Sequence, residues 1–166
     1  MSPRGVSVII VNWNTQDLVL RLLRSLFSPN EAHEHELIVV DHNSSDGSVE
    51  AIRLELPAVK LVAQTENRGF AGGVNPGVEL ATQPLVLLLN SDAQTSSAST
   101  TEAAQYMAEF PQVGVLGPRI LNPDRSPQSS CWRDPSLMWI AISAIGLSKL
   151  KPFNFERYAV AMRVES

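Results

Sequence analysis

The sequence predicts an α/β protein built on a mostly parallel central sheet, and three observations carry that expectation. Apolar runs of strand length recur at residues 6–11, 37–41 and 85–89, the last without any polar alternation, as in strands covered on both faces. Segments of helical period separate these runs, the arrangement that produces parallel sheets. The chain has 166 residues, 44% of them hydrophobic, which suits one domain with its own core.

The elements follow in order. Residues 6–11 read as the first strand, and residues 16–27 as a helix whose Leu18, Leu22, Leu23 and Leu26 form an apolar stripe, with Thr15 or Asn14 as its cap. A second strand at 37–41 leads to a helix at 48–56 with Val49, Ile52 and Leu56 inward, closed by Pro57. A third strand at 59–63 precedes a Gly-rich turn and a helix over 72–82. The 85–89 strand, a helix at 96–110 and a strand at 113–116 complete the alternation. After Gly117 the prolines Pro118, Pro123, Pro127 and Pro135 predict loops or a small sheet edge before a helix at 136–148.

Composition narrows the function classes. A net charge of −4 leaves no basic footprint for nucleic acid. Cys131 is the single cysteine, so no intrachain disulfide forms, a reducing compartment is the simpler assumption, and the thiol is expected to be packed. The first apolar stretch is too short for a signal-peptide core, and the apolar stretch at 137–147 is well short of a bilayer span, which leaves core packing or an interfacial position for it.

The chemistry concentrates at strand ends. Asn90 and Asp92 flank Ser91 directly after the 85–89 run, at the carboxyl end of a parallel strand where ligands gather. Residues at i and i+2 point the same way along a strand, so both oxygens can face one hard cation, Mg²⁺ or Mn²⁺, while a substrate diphosphate supplies further ligands. Taken alone, the same residues also suit an Asx-type turn into the next helix. After the first strand, Trp13 between Asn12 and Asn14 can hold a nucleobase, or Trp13 can be a core anchor and Asn14 a helix cap.

The loop after the second strand offers Asp41 as an acceptor for a base imide N–H, followed by turn formers including Asn43, with Ser45 or Asp46 as a cap. His42 has no second His or Cys nearby and is expected to be a solvated loop residue. The third loop, from Glu66 to Gly77, can bring backbone N–H groups to an anion at a helix start, with Arg68 as counter-charge. It lacks both the Lys-Ser/Thr ending of a P-loop and dinucleotide-binding spacing, and its glycines suit tight turns and helix packing equally well.

In order and spacing these segments resemble the nucleotide-binding half of inverting family 2 glycosyltransferases, of the Rossmann-like GT-A fold, and especially their rhamnosyltransferase-like branch. The resemblance runs through residues 6–14, 38–48, 67–77 and 87–92, and more weakly through 117–118 and 128–137. It implies a nucleotide-diphosphate sugar donor, a dTDP- or UDP-sugar such as dTDP-rhamnose, a divalent cation, and inverting transfer to a glycan or lipid-linked acceptor at the cytoplasmic face of a membrane, with peripheral membrane contact.

On that resemblance Asn12, Trp13, Asn14, Asp41 and Asn43 would serve the base and ribose. Asn67, Arg68, Gly69, Phe70 and Asn75 would serve the rest of the donor, and Asn90, Ser91 and Asp92 the metal-diphosphate unit, with Asp92 and Asn90 as metal ligands. Departures from the family pattern are Asn90 in place of a first carboxylate, His42 where Asn is usual, Pro76 within the Gly-rich helix start, and Arg125 in a turn where glycine is common.

The general base that an inverting transfer needs lies in a later family segment, so no residue here is nominated for it. The expected organisation is a nucleotide-sugar-binding core at 1–117 and the start of an acceptor-side region at 118–166, C-terminally incomplete and inactive alone. The alternatives are a non-catalytic nucleotide-sugar-binding module and an unrelated doubly wound α/β protein.

Overall fold

The computed structural model describes residues 5–27, 35–122 and 124–128. Within them the chain runs β1 (Val6–Asn12), α1 (Gln16–Leu26), β2 (His35–Asp41), α2 (Ser48–Glu55), β3 (Lys60–Ala63), α3 (Gly69–Leu80), β4 (Leu85–Asn90) and α4 (Ser97–Glu109). The strands form one sheet in the order β3-β2-β1-β4, and every pairing is parallel. Alternating strands and helices have produced the α/β architecture that the periodicity predicts.

β1 and β2 lie in the middle of this sheet and bury residues on both faces, among them Val8, Ile9, Ile10, Ile38, Val39 and Val40. On one face Val6, Val8, Ile10, Leu37 and Val39 pack with Leu22, Leu23 and Leu26 of α1, Ile52 of α2 and Ala104 of α4. Each fully buried Leu or Ile contributes about 2 kcal/mol to holding the layers together.

Leu85, Leu87 and Leu89 of β4 join that core, whereas Val86 and Leu88 are 44% and 45% exposed. The expectation of a strand covered on both faces fails at β4. It is the outer strand of the described sheet, and α3 lies over β1 and β2 instead. Leu18 also leaves its expected place, since the buried stripe of α1 is Val19, Leu20, Leu22, Leu23 and Leu26, and Leu18 stands partly exposed beside it.

α3 begins at Gly69, three positions before the expected start, and so carries Pro76 well inside it. A proline there cannot donate to the carbonyl of Gly72, four residues back. Gln64 donates through Nε2 to that carbonyl at 3.2 Å, which satisfies the acceptor and lets the helix continue. Gly73 and Gly77, one turn apart, face the sheet: an added Cβ would lie 2.4 Å from His42 Nε2 or from Ile9 Cγ2 respectively. These glycines therefore set the close approach of helix to sheet.

The amino ends of the strands are tied by Glu36. Its carboxylate accepts from Ser7, Lys60 and both the amide and hydroxyl of Thr82, joining β1, β2, β3 and the turn before β4. The opposite ends of the strands carry Asn12, Asp41 and Asn90.

The chain divides into two units, Met1–Pro111 and Gln112–Ser166. In the second, an antiparallel bridge pairs Leu121 with Pro127. The turn inside it is held by Asn122 N–H to Ser126 O at 2.8 Å, with Arg125 at φ +66°. The strand expected at 113–116 does not form. Gly114 interrupts a short apolar run, Val115 is 90% exposed, and the segment runs without sheet pairing. Cys131 and the helix expected at 136–148 lie outside the described residues.

Candidate donor-binding site

The carboxyl ends of β1, β2 and β4 converge on a buried polar network. Asn12 donates through Nδ2 to Asp41 Oδ1 at 2.8 Å, and the other Asp41 oxygen accepts the Ser44 amide at 2.8 Å. Thr15 donates to Asn12 Oδ1 at 2.7 Å, and its hydroxyl also lies 2.7 Å from Ser91 Oγ, which links the β1 and β4 ends. Asn12 and Asp41 are fully buried, and their hydrogen bonds offset the cost of that burial. In this structure both act as organisers of the turns above them.

The same turns are laced together across the chain. Asn14, at φ +51°, donates its amide to Ser44 Oγ and accepts the Ser45 amide on Oδ1, each at 2.8 Å. Neither Asn14 nor Thr15 caps α1 through its side chain, contrary to expectation. Asp46 does, accepting the Gln16 amide at 2.8 Å on Oδ2 while Oδ1 accepts the Ser48 amide at the start of α2. Burial would raise the Asp46 carboxyl, but hydrogen bonds from Ser48 and the Gln16 amide outweigh it and hold the group below its ordinary range.

His42 departs furthest from its expected place. It is 1% exposed rather than solvated, because its amide donates to Asn12 O at 2.9 Å and so carries the sheet pattern one residue past β2. The period-two alternation from Ile38 and Val40 then turns the ring under α3. Nδ1 accepts the Arg68 amide at 2.9 Å.

α3 starts beside this ring. Asn67 Oδ1 accepts the Gly69 amide at 2.9 Å, and Gly69 takes φ +70°, a conformation that glycine adopts without strain. Arg68 pairs with Glu66 at 2.8 Å. Beyond β4 the chain turns at once, with the Ala93 amide donating to Asn90 O at 3.1 Å. Asn90 therefore ends the strand, and Asp92 stands on the turn immediately after it.

These pieces enclose a cleft of about 380 Å³, lined by Val11, Trp13, Thr15, Leu18, His42, Asn67, Gly69, Phe70, Asn90, Ser91 and Asp92. Of the residues nominated from sequence, Trp13, Asn67, Gly69, Phe70, Asn90, Ser91 and Asp92 meet there, while Asn12, Asn14, Asp41, Asn43, Arg68 and Asn75 do not line it. Trp13 and Phe70 are 56% and 51% exposed, aromatic surface available to a planar ligand. Asp92 is the sole carboxylate among the lining residues, and the amino end of α3 adds a positive dipole to the cleft. The glycine-rich loop thus divides its work, with Gly69 lining the cleft and Gly73 and Gly77 seating the helix.

Residues 7–143 match the family model described as glycosyl transferase family 2. The chain belongs to glycosyl transferase family 2. Among its relatives in this family, the N-acetylglucosaminyl-diphospho-decaprenol L-rhamnosyltransferase of Mycobacterium tuberculosis is 28% identical over 142 residues, 79% of this chain and 46% of the relative. The poly-beta-1,6-N-acetyl-D-glucosamine synthase of Staphylococcus epidermidis is 28% identical over 122 residues, 71% of this chain and 29% of the relative. A mannosyltransferase from Pyrobaculum calidifontis, solved in complex with GDP-Man and Mn²⁺, superposes with a TM-score of 0.61 at 28% identity, over 69% of this chain and 35% of that one. The chain spans less than half the length of these proteins.

The central sheet is accordingly that of a GT-A glycosyltransferase. In this family 2 chain, no group of three or more His, Cys, Asp or Glu side chains forms a metal cage among the described residues. The cleft lining instead includes Asn90 and Asp92, an amide and a carboxylate whose side-chain oxygens are hard donors. That set fits Mg²⁺ or Mn²⁺, cations that keep water and substrate phosphate among their ligands. Sequence reading did not nominate Val11, Thr15, Leu18 or His42 for the cleft; strand alternation carries the signal for Val11 and His42, whereas Leu18 and Thr15 reach it through tertiary placement.

Proposed function

We propose that this family 2 chain binds a nucleotide-diphosphate sugar in the Trp13–Phe70–Asp92 cleft, and that it supplies the donor side of an inverting sugar transfer. The observation that supports the reading is a single cleft combining exposed aromatic surface, the amino end of α3 and an oxygen pair at a strand end. Trp13 and Phe70 offer faces to the base or sugar, the amides at the start of α3 favour phosphate, and Asn90 and Asp92 would hold Mg²⁺ or Mn²⁺. When bound, that cation neutralises charge developing on the leaving diphosphate.

In the transfer, an acceptor hydroxyl oxygen bonds to the anomeric carbon as the bond from that carbon to the diphosphate oxygen breaks. The hydroxyl proton passes to a general base that we assign to no residue of this chain. The donor class is a dTDP- or UDP-sugar, with dTDP-rhamnose suggested by the rhamnosyltransferase relative. The acceptor is a glycan or a lipid-linked sugar, an assignment that leans on the same relative, and action at the cytoplasmic face of a membrane belongs to the same proposal. No helix among the described residues is long and apolar enough to cross a membrane. Peripheral membrane contact is part of the proposal.

The test is calorimetric titration with UDP and dTDP, each with and without Mn²⁺, repeated on Asp92→Ala. Metal-dependent binding should be present in the wild type and fall at least about tenfold in the variant. Equal binding with and without Mn²⁺, or an unaffected variant, would remove the metal role. Failure of a folded wild-type chain to bind either nucleotide would remove the donor assignment.

A further inference from the structure

We propose that His42 is a positioning residue for the donor cleft: as a neutral imidazole it fixes, through Nδ1, the backbone amide at which α3 begins. The proposal rests on the reading of the cleft as a donor site and adds a residue that no motif nominates.

The geometry sets the protonation pattern. The Arg68 amide can only donate, so Nδ1, 2.9 Å away, must present its lone pair. The proton of the neutral ring therefore sits on Nε2. That atom is buried and has no hydrogen-bond partner among the described residues. It lies against α3 where Gly73 lacks a side chain; a Cβ there would be 2.4 Å away.

An apolar side chain of similar size would fill this space without stranding a donor. A buried unpaired N–H is costly, so packing alone does not favour histidine here. What the ring contributes is the acceptor. It clamps Arg68 at the junction between Asn67 and Gly69, the two residues of this loop that line the cleft beside Phe70. The His42 backbone is itself anchored, its amide donating to Asn12 O at 2.9 Å. The clamp thus ties the start of α3 to the β1 and β2 ends.

Three variants separate the acceptor from the packing. His42→Asn places an amide oxygen where Nδ1 stands, His42→Gln places its polar atoms near Nε2, and His42→Leu fills the space with no acceptor. Two measurements are made on each: hydrogen exchange of the Arg68 amide in the ligand-free chain, and affinity for UDP and dTDP with Mn²⁺. His42→Leu and His42→Gln should each lose about tenfold in Arg68 protection and about tenfold in nucleotide affinity, although the leucine variant is no less heat-stable than the wild type. His42→Asn should stay within about threefold on both, despite its smaller volume.

Wild-type affinity in the leucine variant would overturn the proposal and leave the nucleotide site standing. So would affinities that track melting temperature across the three variants. If the wild-type chain binds neither nucleotide while its Arg68 amide is protected, the donor-binding reading fails, and the role of His42 in donor binding falls with it.

Discussion

At the scale of single residues, the polar side chains that matter most act over long stretches of sequence. Glu36 is the clearest case. Burial would raise its carboxyl, but Lys60, Ser7 and Thr82 together outweigh that and lower it from the ordinary 4.5 to about 2. A folded-state value below the unfolded one means the contribution is complete above pH 4.5 and is lost as pH falls toward 2. Glu36→Gln should therefore lower the melting temperature at neutral pH, by at most about 3 kcal/mol in stability. The gap from wild type should close as acid approaches pH 2. Melts recorded across that range check it, and a constant gap would assign the effect to packing. Asp46 belongs to the same class. Asp46→Ala removes a partner from the first amides of both α1 and α2 and should cost about 1–2 kcal/mol, read by chemical denaturation. The cap that Asp46 places on α2 was legible as a local turn signal, but the Glu36 clasp and the Asp46 bond to α1 were not, because caps and clasps are sought within a few residues, whereas Gln16 and Asp46 meet only after the sheet has formed.

At the scale of elements, the strands were the readable part, since runs such as residues 37–41 and 85–89 combine strand length with apolar content. The failures share one cause. Residues 113–116 have the composition of a strand but no partner, and 85–89 has the composition of an enclosed strand at a place where only one face is covered. Composition reports what a segment can bury, and the neighbours decide what it does bury. α3 shows the converse, because Pro76 in its interior argues for a break that the structure avoids through Gln64. This compensation is testable as a double-mutant cycle. Gln64→Leu alone should cost about 1 kcal/mol by leaving the Gly72 carbonyl without its donor. In a Pro76→Ala background the restored amide can take that carbonyl, and the cost should largely vanish. Equal costs in both backgrounds, measured by urea unfolding, would show that Gln64 acts elsewhere.

At the scale of the whole molecule, the sheet, its helices and the cleft all fall within the first unit. The cleft-lining residues run from Val11 to Asp92, and α4, the last of the described helices, ends at Glu109. Motif order along the chain suffices to group Trp13, Asn67, Phe70, Asn90 and Asp92 in one site, because parallel strands bring their carboxyl ends to a common edge. What order could not convey was depth: Asp41 and Asn12 are fully buried and do not line the cleft, whereas His42, also buried, does. If the first unit holds everything that shapes the cleft, the segment 1–111 should unfold cooperatively, with a nucleotide affinity within about threefold of the whole chain. A segment that folds but loses affinity tenfold or more would place part of the donor site after Pro111. A segment that fails to unfold cooperatively would show that the first unit depends on residues 112–166 for its core, even though the four described strands all pair within 1–111.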